Sequence, residues 1–177
     1  MIQYWIFSTP LGEAGVVAGE KGICRLVLPG WNRERMISYI SDQHPGAEPG
    51  SRPAPAMVKD AADFVSGSLM GTPPGSGAEL DLSAQTAFQK KVLKIIATIK
   101  PGETRSYLWV AEQCGDAKAV RAVAQALAHN PLPLFIPCHR VISRDGSLRG
   151  FSAPGGINMK RYLLNLERSG KKRQGRA

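Results

Sequence analysis

The chain opens with apolar, β-prone runs. Residues 2–9, IQYWIFST, read as one strand, and AGVVAGEKGICRLVLP reads as two short strands around a Glu-Lys-Gly turn. The period then changes. NRERMISYISDQ places Met36, Ile37 and Ile40 on one helical face with Asn32 as a cap, and MVKDAADFVSGSL does the same with Val58, Ala61, Ala62, Val65 and Leu69. Between them HPGAEPGSRPAPA is a Pro- and Gly-rich exposed loop, and a second such cluster, GTPPGSGAELDL, marks a domain boundary at residue 82. Beyond it, SAQTAFQKKVLKIIATI gives a helix with Phe88, Val92, Ile95, Ile96 and Ile99 as its stripe, ended by KPGE.

The next segment, TRSYLWVAEQCGDAKAVRAVAQALAHNP, divides into two helices. Ser106 caps the first, which runs through Cys114; Gly115 ends it, Asp116 caps the second, and Pro131 lies just beyond. Two helices about a Gly-containing turn resemble a helix-turn-helix, a pattern that any αα corner shares. In the second helix Ala117, Ala119, Ala122, Ala124, Ala126 and Ala128 make a face nearly free of bulk, with Arg121 among them. High helix propensity explains so many alanines. A smooth helix that lets one cation reach into a groove explains them equally well.

Charge changes the picture. Residues 1–82 hold six Lys/Arg against nine Asp/Glu, and residues 83–177 hold seventeen against five, so the net +9 arises from a half at −3 and a half at +12. A basic C-terminal half points to a polyanion, most plausibly nucleic acid, although RSGKKRQGRA from Arg168 is also readable as a solvated tail. Nothing in MIQYWIFSTP resembles a signal peptide, and no apolar run approaches a membrane span. Three cysteines, Cys24, Cys114 and Cys138, with no CxxC pair, imply neither a disulfide framework nor a zinc ribbon, and fit a reducing compartment.

The candidate chemistry lies in IPCHRVI. Cys138 is a nucleophile only as its thiolate, which requires a base or a positive environment. His139 reaches it only where the backbone turns sharply or through a water, and its second nitrogen needs an acceptor. Glu103, Glu112, Asp116, Asp145 and Glu167 are the candidates for that acceptor. A buried structural cysteine with a structural histidine remains an open alternative.

TAFQKKV, KPGETRSY, AVRAVAQALAHNP, IPCHRVI and GFSAPGG followed by KRYLLNLE, in this order, strongly resemble the alkylguanine-DNA alkyltransferases, also called methylated-DNA–protein-cysteine methyltransferases. The resemblance covers nearly half the chain. It implies an α+β protein: an RNase H-like sheet-plus-helix domain over 1–82, a mostly helical DNA-binding and alkyl-acceptor domain over 83–168 with a winged-helix-like helix-turn-helix and an active-site loop, and a disordered basic tail over 169–177. It implies that Cys138 accepts an alkyl group from the 6-oxygen of guanine in DNA, once per molecule and without a cofactor or metal. The thiol proton would pass through a water to His139, oriented by Glu167, while Tyr107 would assist protonation of the leaving guanine.

Arg121 would replace the flipped nucleotide, Asn130 would be the hinge of the active-site loop, and Ala122, Ala124 and Arg140 would lie on the DNA side. Val141, Phe151 and Ser152 would line the base pocket. The implied partner is double-stranded DNA carrying alkylated guanine, met through its minor groove by a cytoplasmic monomer that engages no membrane. Leu108, Ala124 and Arg149 depart from the family pattern and add bulk near the DNA or pocket surface. A non-enzymatic damage-binding module and an unrelated Cys-His hydrolase are the competing readings.

Overall fold

The computed structural model describes residues 1–174 and is a mixed α+β fold with a small N-terminal sheet and a helical C-terminal part. Its contacts divide it into Met1–Ser83 and Ala84–Ala177. In the first unit β1 (Gln3–Thr9) pairs antiparallel with β2 (Gly12–Gly19), with Trp5 opposite Val16, and β2 pairs with β3 (Gly22–Val27) across a register shift at Val17/Ala18. The loop expected over residues 44–56 also contributes a two-residue strand, β4 (Glu48–Pro49), parallel to β1, so the order is β3-β2-β1-β4. Pro49 is tolerated there because an edge strand leaves one side of its backbone unpaired.

Asn32 caps α1 (Arg33–Gln43) by accepting from the Arg35 N–H at 2.9 Å. The helix buries Met36 and Ile40 with Val17 and Val27. A Cβ at Gly15 would stand 2.8 Å from the Met36 sulfur, so any other residue there would force the Met36 side chain to move. α2 (Ala56–Leu69) buries Val58, Ala61, Val65 and Leu69 of the stripe its period predicts, with Ala62 only half-buried.

The second unit begins with α3 (Ala87–Ala97), closed by a capping box in which Thr86 and Gln89 each take the other's backbone N–H. Its buried stripe is Val92, Leu93, Ile96 and then Ile99. Phe88, expected in that stripe, is 37% exposed, because the first turn of the helix lies in solvent. β5 (Arg105–Ser106) leads into α4 (Tyr107–Gln113), capped by Ser106, whose hydroxyl accepts from the Trp109 N–H at 3.0 Å. Gly115 takes φ +89°, a left-handed value suited to glycine, and ends the helix.

Asp116 caps a 3₁₀ turn, Ala117–Ala119, that precedes α5 (Val120–Ala128), so the second helix starts one turn later than the sequence suggests. The alanines do not share a face: Ala126 is buried with Val123 and Leu127, while Ala122, Ala124 and Ala128 are exposed. A two-residue spacing cannot hold one side of a 3.6-residue helix. β6 (Val141–Ile142) pairs in parallel with β5, and α6 runs over Gly156–Gln174. The backbone of α6 enters the stretch read as a basic tail; residues 175–177 lie outside the described residues.

Ile96 anchors α3 with no exposure. Ile96→Ala is expected to destabilise the protein by about 2–5 kcal/mol, the usual loss for truncating a buried isoleucine, measured as a lower denaturant midpoint at unchanged slope.

Candidate active site

The loop after α5 is shaped before it reaches its cysteine. Asn130 donates from its amide to the Ile136 carbonyl at 2.8 Å and accepts from the Leu132 N–H at 3.0 Å, closing residues 130–136 on themselves. Pro131 and Pro133 restrict the chain, and Leu134, buried, is held at φ 72°. A leucine in that region costs free energy that its packing must offset. Pro137 then delivers the chain into a 3₁₀ turn, Cys138–Arg140. The backbone therefore turns sharply at the Cys-His pair, as proximity of those two side chains requires.

His139 is 2% exposed, and its Nε2 stands 2.8 Å from Oε1 of Glu167. Burial alone would raise the Glu167 carboxyl, but hydrogen bonds from His139, Arg140 and the Gly102 N–H together hold it at about 2. An ionised carboxylate only accepts, so Nε2 carries the hydrogen and Nδ1 carries a lone pair. Burial, with help from Arg140 and Lys160, holds His139 below its ordinary value against the pull of Glu167. The ring is thus neutral, and its basic nitrogen, Nδ1, has no hydrogen-bond partner among the described residues.

Cys138 is 7% exposed. Burial pushes its thiol up, outweighing the hydrogen bond from Asn130, the charge of Lys160 and the N–H groups of Cys138 and His139. The sulfur therefore rests as a thiol, which becomes a nucleophile only once a base takes its proton. Tyr107 is likewise raised, by burial first and by Cys138 second, and remains a phenol. Its hydroxyl donates to the Arg149 carbonyl at 2.9 Å.

A cavity of about 840 Å³ opens beside the sulfur, lined by Cys138, Tyr107, Arg121, Ala124, Phe151 and Ser152 among others. Arg121 is exposed on α5, and Ser152 donates to the Ala128 carbonyl at 2.5 Å, closing the C-terminal end of that helix. Ala122 is exposed on α5 but does not line the cavity.

Two expected residues are held in the interior of this unit. Arg140 is engaged by Glu167: Nη2 lies 2.7 Å from Glu167 Oε1, Nε lies 3.0 Å from both carboxylate oxygens, and Nη1 donates to the Ile99 carbonyl at 2.6 Å. A charged carboxylate in the interior draws in the nearest guanidinium. Val141 is fully buried in β6 and is not among the residues that line the cavity.

Lys160, absent from the sequence reading, is also fully buried. It shares an i, i+3, i+4, i+7 face of α6 with Leu163, Leu164 and Glu167, and a polar residue on an apolar stripe was the available signal. Among the described residues no group of three or more His, Cys, Asp or Glu is placed to hold a metal ion, and no helix is long and apolar enough to cross a membrane.

A family profile described as the 6-O-methylguanine DNA methyltransferase DNA-binding domain matches residues 87–169. A methylated-DNA–protein-cysteine methyltransferase of Mycolicibacterium paratuberculosis is 49% identical over 168 residues, covering 95% of this chain and 93% of that one. The bifunctional transcriptional activator/DNA repair enzyme Ada of Escherichia coli is 37% identical over 172 residues, covering 97% of this chain, which spans about half of that longer protein at 47%. A crystal structure of Mycobacterium tuberculosis OGT in complex with DNA aligns with a TM-score of 0.75 at 36% identity, covering 95% of this chain and 94% of that one. By sequence over nearly its whole length and by fold, the chain belongs to the methylated-DNA–protein-cysteine methyltransferase family.

Proposed function

We propose that the protein repairs DNA by direct reversal, moving an alkyl group from the 6-oxygen of guanine irreversibly to Cys138. The observation that carries this reading is Cys138 on the cavity wall, followed directly by a buried histidine whose Nε2 is held by Glu167 and whose Nδ1 has no partner among the described residues. In the step, the thiol proton passes through a water to Nδ1 of His139, and the sulfur forms a bond to the alkyl carbon. The bond from that carbon to the guanine oxygen breaks, its electron pair enters the ring, and the base takes up a proton with Tyr107 as the assisting donor. Glu167 keeps Nε2 protonated and favours the imidazolium that forms. The thioether has no leaving path, so each molecule acts once, without a cofactor.

The target atom is inaccessible within a base stack, so the nucleotide must be flipped out. Arg121, exposed at the cavity mouth, is the residue to fill the vacancy, with Asn130 holding the loop that follows α5 and Ala122 and Ala124 allowing close approach. Phe151 and Ser152 receive the base. We read the N-terminal sheet and helices as RNase H-like and the second unit as a winged-helix-like variant. The protein would act as a cytoplasmic monomer, meeting alkylated double-stranded DNA through the minor groove and, in a prokaryote, associated with the nucleoid through that DNA.

Incubation with a duplex carrying one 6-O-methylguanine is expected to add one CH₂ unit per protein molecule, mapped to the Cys138 peptide. Cys138→Ala should gain nothing; lesion binding by the native protein without mass gain would instead favour a damage-binding module. Glu167→Gln is expected to slow transfer by about 10²–10⁴-fold, the scale of losing an oriented base. The same variant should lose the stability that the ionised carboxyl supplies. That contribution is complete above the ordinary 4.5 and disappears as pH falls toward about 2, so denaturation across this window should flatten. Arg121→Ala should slow repair of duplex DNA by about 10²-fold, matching a flipping cost of a few kcal/mol, while leaving reaction with free 6-O-methylguanine within about twofold.

A further inference from the structure

Lys160 is among the largest side chains wholly withdrawn from solvent, and the chemistry above assigns it no task. The stripe of α6 that carries Glu167 to His139 carries this ammonium two turns earlier. Nζ donates to the Val141 carbonyl at 2.7 Å and the Arg149 carbonyl at 3.0 Å, with the Gly150 carbonyl at 3.4 Å and the Tyr107 hydroxyl at 3.5 Å. Tyr107 gives its own hydrogen to the Arg149 carbonyl, so its oxygen is free to accept from Lys160. These contacts join α6, the start of α4, β6 and the cavity wall at 149–150.

Every one of these acceptors is neutral. Among the described residues no carboxylate forms an ion pair with Lys160, and burial drags the amine from 10.5 down to about 8. The titratable and charged groups around it are Tyr107 on α4, Cys138 and His139 on the 3₁₀ turn, and Glu167 on α6 itself, which is already bound by His139 and Arg140. Arg149 offers its carbonyl, while its side chain is exposed. The remaining source of a compensating negative charge is Cys138, and each of the two favours the charged form of the other.

We propose that Lys160 is a positioning residue for the alkyl transfer, bracing Tyr107 and the 149–150 wall and supplying the positive charge against which the Cys138 thiolate forms. The inference rests on the reading of Cys138 as alkyl acceptor. The lysine exchanges no proton in the step: the thiol proton goes to His139, the sulfur–carbon bond replaces the carbon–oxygen bond, and the ammonium stays charged throughout. Conversion of the sulfur to a neutral thioether removes the incipient anion that the ammonium faced.

The test uses the full chain with Lys160→Met and Lys160→Arg, after thermal melting has established that each folds. Cys138 labelling by iodoacetamide is followed against pH by peptide mass, beside methyl transfer from a 6-O-methylguanine duplex and affinity for unmodified duplex. Lys160→Met should raise the pH midpoint of labelling and slow it about tenfold at neutral pH, the effect of one pKa unit. Transfer should slow in parallel with DNA affinity unchanged, and Lys160→Arg should recover part of both losses. A labelling midpoint in Lys160→Met equal to that of the native protein overturns the proposal.

Should neither variant fold, the native protein decides. Transfer falling above pH 8 while DNA affinity holds supports the proposal, and a rate that keeps rising there overturns it. Absence of methyl gain by the native protein would remove the acceptor reading, and the labelling midpoints of the native and Lys160→Met proteins would then decide the Lys160–Cys138 coupling alone.

Discussion

The Glu167 carboxylate is the interaction on which the second unit depends. It receives His139, two nitrogens of Arg140 and the Gly102 N–H, so one side chain of α6 fixes the Cys-His turn and the loop after α3 together. Withdrawing a carboxylate from water costs several kcal/mol even after relaxation. Charge-assisted hydrogen bonds contribute about 1.5–3 kcal/mol each, and Glu167 collects enough of them to remain ionised. The consequence is chemical as well as structural. A carboxylate ionised at neutral pH dictates which imidazole nitrogen bears hydrogen, and so leaves the lone pair on the other.

The active-site loop applies the same logic to the nucleophile. Asn130 spends its amide on closing the loop, two prolines restrict it, and Leu134 accepts a left-handed backbone because its side chain is buried. Rigidity of this kind places a reacting group without an entropy loss at the moment of reaction. Burial also keeps the thiol protonated until a substrate is in place. A standing thiolate would react with any electrophile small enough to enter the cavity, whereas a thiol activated by His139 reacts once the target carbon is aligned.

Legibility in the sequence followed the range of the interaction. Caps are local, and Asn32, Ser106 and Asp116 were readable as punctuation, whereas the Thr86–Gln89 capping box came from the structure alone. Stripes were readable where an element is buried along its length, as in α2, and failed at Phe88, where a correctly spaced residue stands on a turn that leaves the core. The alanine pattern misled because composition does not report direction. Short parallel pairings, β4 with β1 and β5 with β6, join distant segments through backbone groups and carry almost no side-chain signature. In the site, Cys138 and His139 stood out as neighbours, but choosing Glu167 among five carboxylates required a contact across 28 residues. Spacing alone could not make that choice, and resemblance did. Lys160 went unread because a lysine on a helix is ordinarily solvated; its burial follows from the phase it shares with Leu163, Leu164 and Glu167.

The departures at 108, 124 and 149 become understandable once side chain and backbone are separated. Position 149 serves the site through its carbonyl, which takes both the Tyr107 hydroxyl and Lys160, while its guanidinium lies exposed at the cavity. Any residue provides that carbonyl, so the side chain is free to be large and charged. Ala124 likewise stands on the cavity lining rather than in the helix interior, and Leu108 is half-buried in the first turn of α4. Among the described residues no hydrogen bond joins the side chain of any of the three to Cys138, His139 or Glu167. Bulk and charge at 124 and 149 therefore stand on the cavity lining, while the Cys138 sulfur, His139 and the carboxylate that holds its ring are positioned by α6 and the 130–140 loop.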